Sequence, residues 1–518
     1  VRKCGFLLLV VFILLVMMAP TACRTRNNSA FVIALGDNIR TIDPIGSPSV
    51  DAASERVRTL IFNTLVKKDE KFDYVGELAS DIKRSDDGLT YTFALRDGVK
   101  FHDGRVLSSA DAKYTLDLLF SSNFAKSASF FEGTGDEKRS YIKSVEAPDQ
   151  RTVIVTLTKP WVGLLSNLVP IPILPKDSYE SQKTHPLGTG PFKFVNYDNT
   201  QQVCDVEAFP DYWDGPSKLQ QVRVRVIADM NALQAELQSG RVDIAPLPTS
   251  LSPDAVKRLE EDPNLQVKVF SGSNVVLLTL NTTAPPLDNV KVRQAIAYAI
   301  DRQSMIQNLL RGYGKIAHSI IPEESWAYTP GQTYAYDPAM AKRLLSESGV
   351  RFDKPIVYKL SGSSISGRQY AGVIQNYLKE AGIPVEIQTP EQNTLFDELR
   401  RGNFQIAYTQ WVGGNQDPIF YKDLFATSEI PTQTRPSRNR SRYSNPELDA
   451  MLEIAVNTFD RAQAKDLYRK IQDIVSRDVP VFPLWYQSNI VIARKNVGNI
   501  QVNASGDWGF VKNLTKTN

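Results

Sequence analysis

The spacing of apolar positions changes repeatedly along this chain. Tyr91, Phe93 and Leu95 alternate with Thr90, Thr92 and Ala94, the period-two pattern of a half-buried strand. Turn signals follow it at Asp97-Gly98 and Asp103-Gly104 and precede it at Asp87-Gly88, since glycine accepts the positive φ of tight turns. Ser108 with Asp111 three residues on predicts a capping box, opening a helix whose buried side includes Tyr114, Leu118 and Leu119. Val153, Val155 and Leu157 alternate again, predicting a hairpin of 141–147 with 151–157 about the Pro148-Asp149 turn. Between these, 121–140 is polar and broken and reads as a loop. Earlier, Phe31 to Leu35 reads as a buried strand, followed by a Gly/Pro/Ser loop from Asp43 and a periodic helix over about 52–65.

Helical periodicity dominates later. Val292, Ala295, Ile296, Ala299 and Ile300 form one face of a helix over 289–301. Asp337-Pro338 opens a helix that Gly349 stops, and Ala371, Ile374, Leu378 and Ala381 form a further apolar face ended by Gly382. Helices are predicted over 446–457 and 461–476, the second capped by Asp460. Strands are expected at Phe404 to Tyr408 and around VFPLWYQSNIVIA near the end. Helices alternating with strands predict a mixed α/β class.

At 518 residues the chain is long enough for several cores. A net charge of +3 from 60 basic and 57 acidic residues argues against a dedicated nucleic-acid binder, which would cluster its charge. Arg435, Arg438, Arg440 and Arg442 lack apolar partners and read as a solvated loop. At the amino end, Arg2 and Lys3 precede an unbroken apolar run from Phe6 to Met18 and the small residues Ala19 to Ala22, a targeting pattern. The run is short of the about 20 residues that span a bilayer. Of three cysteines, Cys4 lies in that segment and Cys23 follows it, so Cys204 has no intramolecular partner and reads as a packed thiol.

Catalytic signatures are missing: there is no G-x-S-x-G, H-E-x-x-H, C-x-x-C or phosphate loop. Of only 3 histidines, His102 sits between Phe101 and the Asp103-Gly104 turn and reads as a backbone-bonding group. No metal or cofactor is expected.

The run DGLTYTFALRDGVKFHDG (residues 87–104) followed by Ser108 and Asp111 resembles the signature of extracellular solute-binding protein family 5, the oligopeptide-, dipeptide- and nickel-binding proteins of ABC importers. Similar matches are GTGPFK (188–193), FPDYWDGPSKLQQVRVRVIAD (209–229) and VRQAIAYAIDR (292–302), so the resemblance covers about 31–508. It implies a type II, periplasmic-binding-protein-like α/β fold of two lobes and three domains, with a hinge and an inter-lobe ligand cleft. Residues 31–44, 186–270 and 480–518 would form the core of lobe 1, 45–185 a domain inserted in it, and 271–479 lobe 2. Residues 1–22 would be a signal peptide and Cys23 a lipidated first residue on a tether through 30, with ordinary secretory cleavage nearby as the alternative.

The resemblance also implies a site. In peptide-binding members the loop W-x-x-D-x-x-[DE]-P carries an aspartate that pairs with the peptide's α-ammonium. Trp411, Asp417 and Pro418 match here, but Gly414 stands at the aspartate's place. Val412, Gly413, Gly414 and Asn415 would offer backbone groups and Trp411 a flat apolar wall. Ser361 stands where dipeptide binders hold a carboxylate with arginine, leaving Arg368 nearby. Ser47, Ser49, Val50, Tyr114, Trp485, Tyr486 and Gln487 are further expected contacts, each with a core-packing alternative. These departures weigh against a strict dipeptide pocket. The expected protein is a monomeric, lipid-anchored binding protein that passes a peptide or related small solute to an ABC permease and ATPase. A sensor reporting to a membrane receptor, and more remotely a hydrolase, are the alternatives.

Overall fold

The structure, a computed structural model, describes residues 30–47, 51–133, 138–411, 417–433, 435 and 437–517. The targeting segment and Cys23 therefore lie outside the described residues, as do Ser49, Val50, Val412, Gly413, Gly414 and Asn415.

Three sheets organise the chain. A seven-stranded sheet runs in the order Phe192–Asp198, Val203–Ala208, Gln221–Val226, Phe31–Leu35, Ile244–Pro246, Asn489–Arg494, Leu265–Phe270. Phe31–Leu35 is flanked by parallel neighbours on both sides and is almost wholly buried, so its sequence is a continuous apolar run. A four-stranded antiparallel sheet, Ala79–Arg84, Thr90–Leu95, Thr152–Leu157, Ile142–Glu146, lies within the segment between Phe31–Leu35 and Phe192–Asp198. Its alternation is borne out: Tyr91, Phe93 and Leu95 are buried with Val153, Val155 and Leu157 in one core. A six-stranded sheet, Gly314–Ile316, Val481–Gln487, Val275–Leu280, Ile406–Trp411, Ile356–Lys359, Val385–Gln388, carries the third large core.

The capping box forms: the Ser108 N–H donates to Asp111 Oδ2 at 2.8 Å at the start of helix Ser109–Ser121. That helix turns Ala112, Thr115, Leu116 and Leu119 inward, about a quarter turn from the expected face, leaving Tyr114 and Leu118 half-buried. Other predicted helices appear as Ala52–Ile61, Val290–Ala299, Pro338–Ser348, Ile365–Glu380, Pro446–Ala455 and Arg461–Asp478. Gly349 caps its helix at φ +67°, and the Asp460 side chain accepts from the Gln463 N–H at 2.8 Å. The stretch expected as a plain loop at 121–140 instead contains the 3-10 helix Ala125–Phe130, drawn inward because Phe130 and Lys126 are buried.

One boundary differs from expectation. Val481–Gln487 pairs with Val275–Leu280 and so belongs to the second lobe's sheet, and the chain returns to the first sheet only at Asn489. Alternating apolar residues on both faces of this strand fit either sheet, so periodicity could not choose. Its return crosses beside the outgoing one. The Gln487 N–H donates to Asn274 O at 2.9 Å, and Asn489 Nδ2 donates to Ser271 O at 3.1 Å. At Gly272 the two backbones approach so closely that a Cβ would lie 1.8 Å from the Gln487 carbonyl oxygen.

The GTGPFK turn is held the same way. A Cβ on Gly188 would lie 2.2 Å from the Ile61 carbonyl oxygen, and the Gly190 N–H donates to that oxygen at 2.8 Å. His102 fastens the turn from the other side, its ring lying 3.0 Å from Gly190 O and accepting from the Gly188 N–H at 3.3 Å. Burial lowers the imidazole to about 4, so it is neutral and structural. Cys204 is buried in the first sheet's core, where burial pushes its thiol up to about 12.

Candidate functional site

Strand Ile406–Trp411 delivers Trp411 to the edge of the second lobe, opposite Val275. The indole is half-buried; Phe420 packs against it at 5.8 Å and the Arg438 guanidinium lies 5.6 Å from its centroid. Arg438 also pairs with Asp423 at 3.1 Å. The arginine-rich stretch is thus more than a solvated loop. Asn439 is fully buried within it and donates to Ala426 O and Tyr443 O, which fixes Arg438 beside Trp411.

Asp417 marks the far side of this loop. One carboxylate oxygen accepts from the Ile419 N–H at 3.0 Å, the Asx turn expected before a proline-led helix start. The other accepts from the Tyr74 hydroxyl, which comes from the opposite lobe. Tyr74 sits in the short hairpin Val66–Lys68 with Tyr74–Gly76, directly across the strand pair from Lys68. The Lys68 ammonium lies 5.8 Å from the Tyr74 ring centroid and within electrostatic reach of Asp417. Burial brings that ammonium down to about 8, against the pull of Asp417. Burial and the neighbouring Asp417 raise the Tyr74 phenol well above its usual range, so it stays a donor.

A second cross-lobe pair lies one residue away. Asp73 forms an ion pair with Arg461, whose guanidinium also rests 3.8 Å from the Trp326 ring centroid. Arg84, in the four-stranded sheet, stacks on Phe459 at 3.9 Å. The inserted domain also presents Tyr141 stacked on Trp161 at 4.3 Å. Burial, then Glu132 and the second lobe's Glu453, Asp423 and Glu429, push the Tyr141 phenol up to about 12.

The remaining expected contacts divide. Ser47 is buried at the end of a braced loop. In that loop Asp43 accepts from the Ile45 and Gly46 N–H groups and from the Tyr179 hydroxyl, while Lys126 donates to Pro44 O at 3.1 Å. The Tyr114 hydroxyl accepts from the Tyr179 N–H at 3.3 Å, so its polar end steadies this brace. Ser361 bonds to Ser363 at 2.8 Å just ahead of helix Ile365–Glu380, and Arg368 turns back onto Gly362 O. Trp485 and Tyr486 follow the core-packing alternative. Trp485 is fully buried in the core of the second lobe, edge-on to Tyr370 at 5.3 Å, and the Tyr486 hydroxyl is shared between Ser319 O and Ile321 O. Their strand lies inside the sheet, where both faces are covered. Gln487 sits at the lobe crossing and accepts from Gln410.

Tyr74, Lys68, Asp73 and Arg461 escaped the sequence reading. Tyr74 and Asp417 are 343 residues apart, and no local pattern marks a tyrosine that meets its partner across two lobes.

A family model for the middle region of the bacterial extracellular solute-binding proteins, family 5, matches residues 73–432. The chain belongs to this family. Heme-binding protein A of Haemophilus influenzae is 29% identical, over 90% of this chain and 88% of its own length. Glutathione-binding protein GsiB of Pectobacterium atrosepticum is 30% identical, over 87% of each. Among solved structures, the ABC transporter substrate-binding protein CtaP of Listeria monocytogenes superposes with a TM-score of 0.82 at 25% identity, covering 94% of this chain and 99% of that one. The oligopeptide-binding protein AppA of Bacillus subtilis, in complex with a nonapeptide, superposes at 0.70 and 25% identity, with coverage of 94% and 99%. Family membership and these neighbours establish the two-lobe type II fold. They also make the chain a solute-binding protein, and its relatives are named for binding rather than catalysis.

Proposed function

We propose that this family 5 solute-binding protein captures a peptide or a related polar solute between its lobes and passes it to an ABC permease and ATPase, held at the membrane through a lipid on Cys23. The observation that carries the ligand class is the pairing of Tyr74 with Asp417. The carboxylate next to the Trp411 loop already has a donor on each oxygen, one of them from the opposite lobe. With Gly414 supplying only backbone, no other carboxylate of that loop offers itself to a ligand's amine. The favoured ligand is therefore one that does not depend on a free α-ammonium: an amino-blocked or longer peptide, or a non-peptide solute. The relatives named for heme and for glutathione, and the oligopeptide-binding neighbour with its nonapeptide, support a family fold that takes both peptide and non-peptide solutes.

A ligand that touches both lobes binds the closed form preferentially and shifts the population toward it. The test is small-angle scattering and calorimetry with glutathione, heme and a defined tripeptide library, free and N-acetylated. Binding with a reduced radius of gyration and ligand recovered intact is expected. An unchanged radius on demonstrated binding defeats the closure reading, and ligand consumed over time points to catalysis. Intact-mass measurement of the membrane fraction tests the anchor: a mature start elsewhere than Cys23 removes it.

A further inference from the structure

Tyr74 brings a hydroxyl to the Asp417 carboxylate from the opposite lobe, and Lys68, its cross-strand neighbour, puts an ammonium over the Tyr74 ring. A hydrogen-bond donor and a nearby positive charge are what a ligand's ammonium end would otherwise supply. Tyr74 donates to Asp417 Oδ2, and the Ile419 N–H takes Oδ1 at 3.0 Å. The Lys68 ammonium lies over the Tyr74 ring, 5.8 Å from its centroid. Tyr468 borders the same carboxylate from the second lobe and is buried.

We propose that Lys68 and Tyr74 are specificity-determining residues: on lobe closure Tyr74, with the Lys68 charge over its ring, occupies Asp417 as an internal substitute for a ligand's amine and so makes the site indifferent to a free amino terminus. This rests on the reading above and adds its cause. A ligand ammonium would have to displace a charge-assisted hydrogen bond that the protein makes with itself. The exchange replaces one such bond with another, so the gain to the ligand is small. Removing the internal donor reverses that balance, because Oδ2 of the carboxylate then lacks its donor in the closed site and a ligand ammonium can supply it.

The experiment compares wild type, Tyr74→Phe, Lys68→Met and their combination in competition between free and N-acetylated forms of one tripeptide library. Bound peptides are read by mass spectrometry. Wild type is expected to take both forms equally, within about threefold. The double variant is expected to favour the free form by about tenfold, which corresponds to about 1.4 kcal/mol, and adding Asp417→Asn should abolish the preference. If wild type is indifferent and the variants are too, Lys68 and Tyr74 do not mask Asp417 and the inference falls while the ligand reading stands. If wild type itself prefers free peptides by tenfold, or binds neither library, the ligand reading falls first. Equal loss of both forms in the variants assigns the pair to lobe closure alone and overturns the inference. Should the double variant fail to fold, Tyr74→Phe alone, which keeps the ring, carries the same comparison.

Discussion

Asp73 of one lobe is ion-paired with Arg461 of the other, at the first residue of helix Arg461–Asp478. The two groups come together where the lobes meet. The pair is half-exposed, and ion pairs of that kind contribute about 0.2–1 kcal/mol.

Asp73→Ala is therefore expected to favour the open form and to weaken every ligand by one common factor, roughly 1.4- to 5-fold. Calorimetry on two chemically different ligands reads this directly. A loss that differs between them would mean that Asp73 touches ligand. The exchanged pair Asp73→Arg with Arg461→Asp should recover the wild-type radius and affinity.

His102 links the GTGPFK turn to acid stability. Its folded value is about 4, against an unfolded value near 6.5, so between these pH values the unfolded chain binds the extra proton. Stability is complete above the unfolded value and falls as pH drops toward the folded one, by on the order of 3 kcal/mol. Urea unfolding at about pH 7 and about pH 4.5 should show this slope in wild type and a flatter one in His102→Asn. Equal slopes would remove His102 as the cause.

Lys126 braces the loop that ends at Ser47. Its ammonium is buried, donates to Pro44 O and Pro170 O, and pairs with Glu55, which also holds Arg58. Lys126→Met strips a charge partner from a buried cluster and is expected to cost about 3 kcal/mol. Chemical unfolding measures it, and a cost below about 1 kcal/mol would show that Arg58 alone suffices for Glu55.

Two glycines should respond oppositely to alanine. Gly188→Ala drives a Cβ to 2.2 Å from the Ile61 carbonyl and should destabilise by about 1–3 kcal/mol. Gly372 lies inside helix Ile365–Glu380 with open space at its Cβ position, so Gly372→Ala should stabilise by about 0.5–1 kcal/mol. Thermal melts of both variants decide it, and stabilisation at Gly188 would mean that the turn is free to shift.

Local chemistry made most elements legible. The Ser108–Asp111 box, the Gly349 stop and the Tyr91-Phe93-Leu95 alternation are each set by neighbours a few residues away. Where two environments satisfied one pattern, legibility ended. Val481–Gln487 is apolar on both faces and could have joined either sheet, which misplaced the boundary and drew Trp485 and Tyr486 toward the ligand. Asp417 could be found because its motif is local, whereas Tyr74 and Lys68 reach it only through the meeting of two separately folded lobes.

The side-by-side chain segments at Gly272 and Gln487 carry a mechanical consequence. Two backbones with no room for a methyl group between them resist sliding past each other and are expected to bend together. The lobes are then expected to move about a single axis, with one angle describing the opening. A pair of fluorescent labels, one on each lobe and far from the cleft, would read that angle for any cargo. That turns this chain into a reporter whose signal depends on occupancy and not on the chemistry of what occupies it.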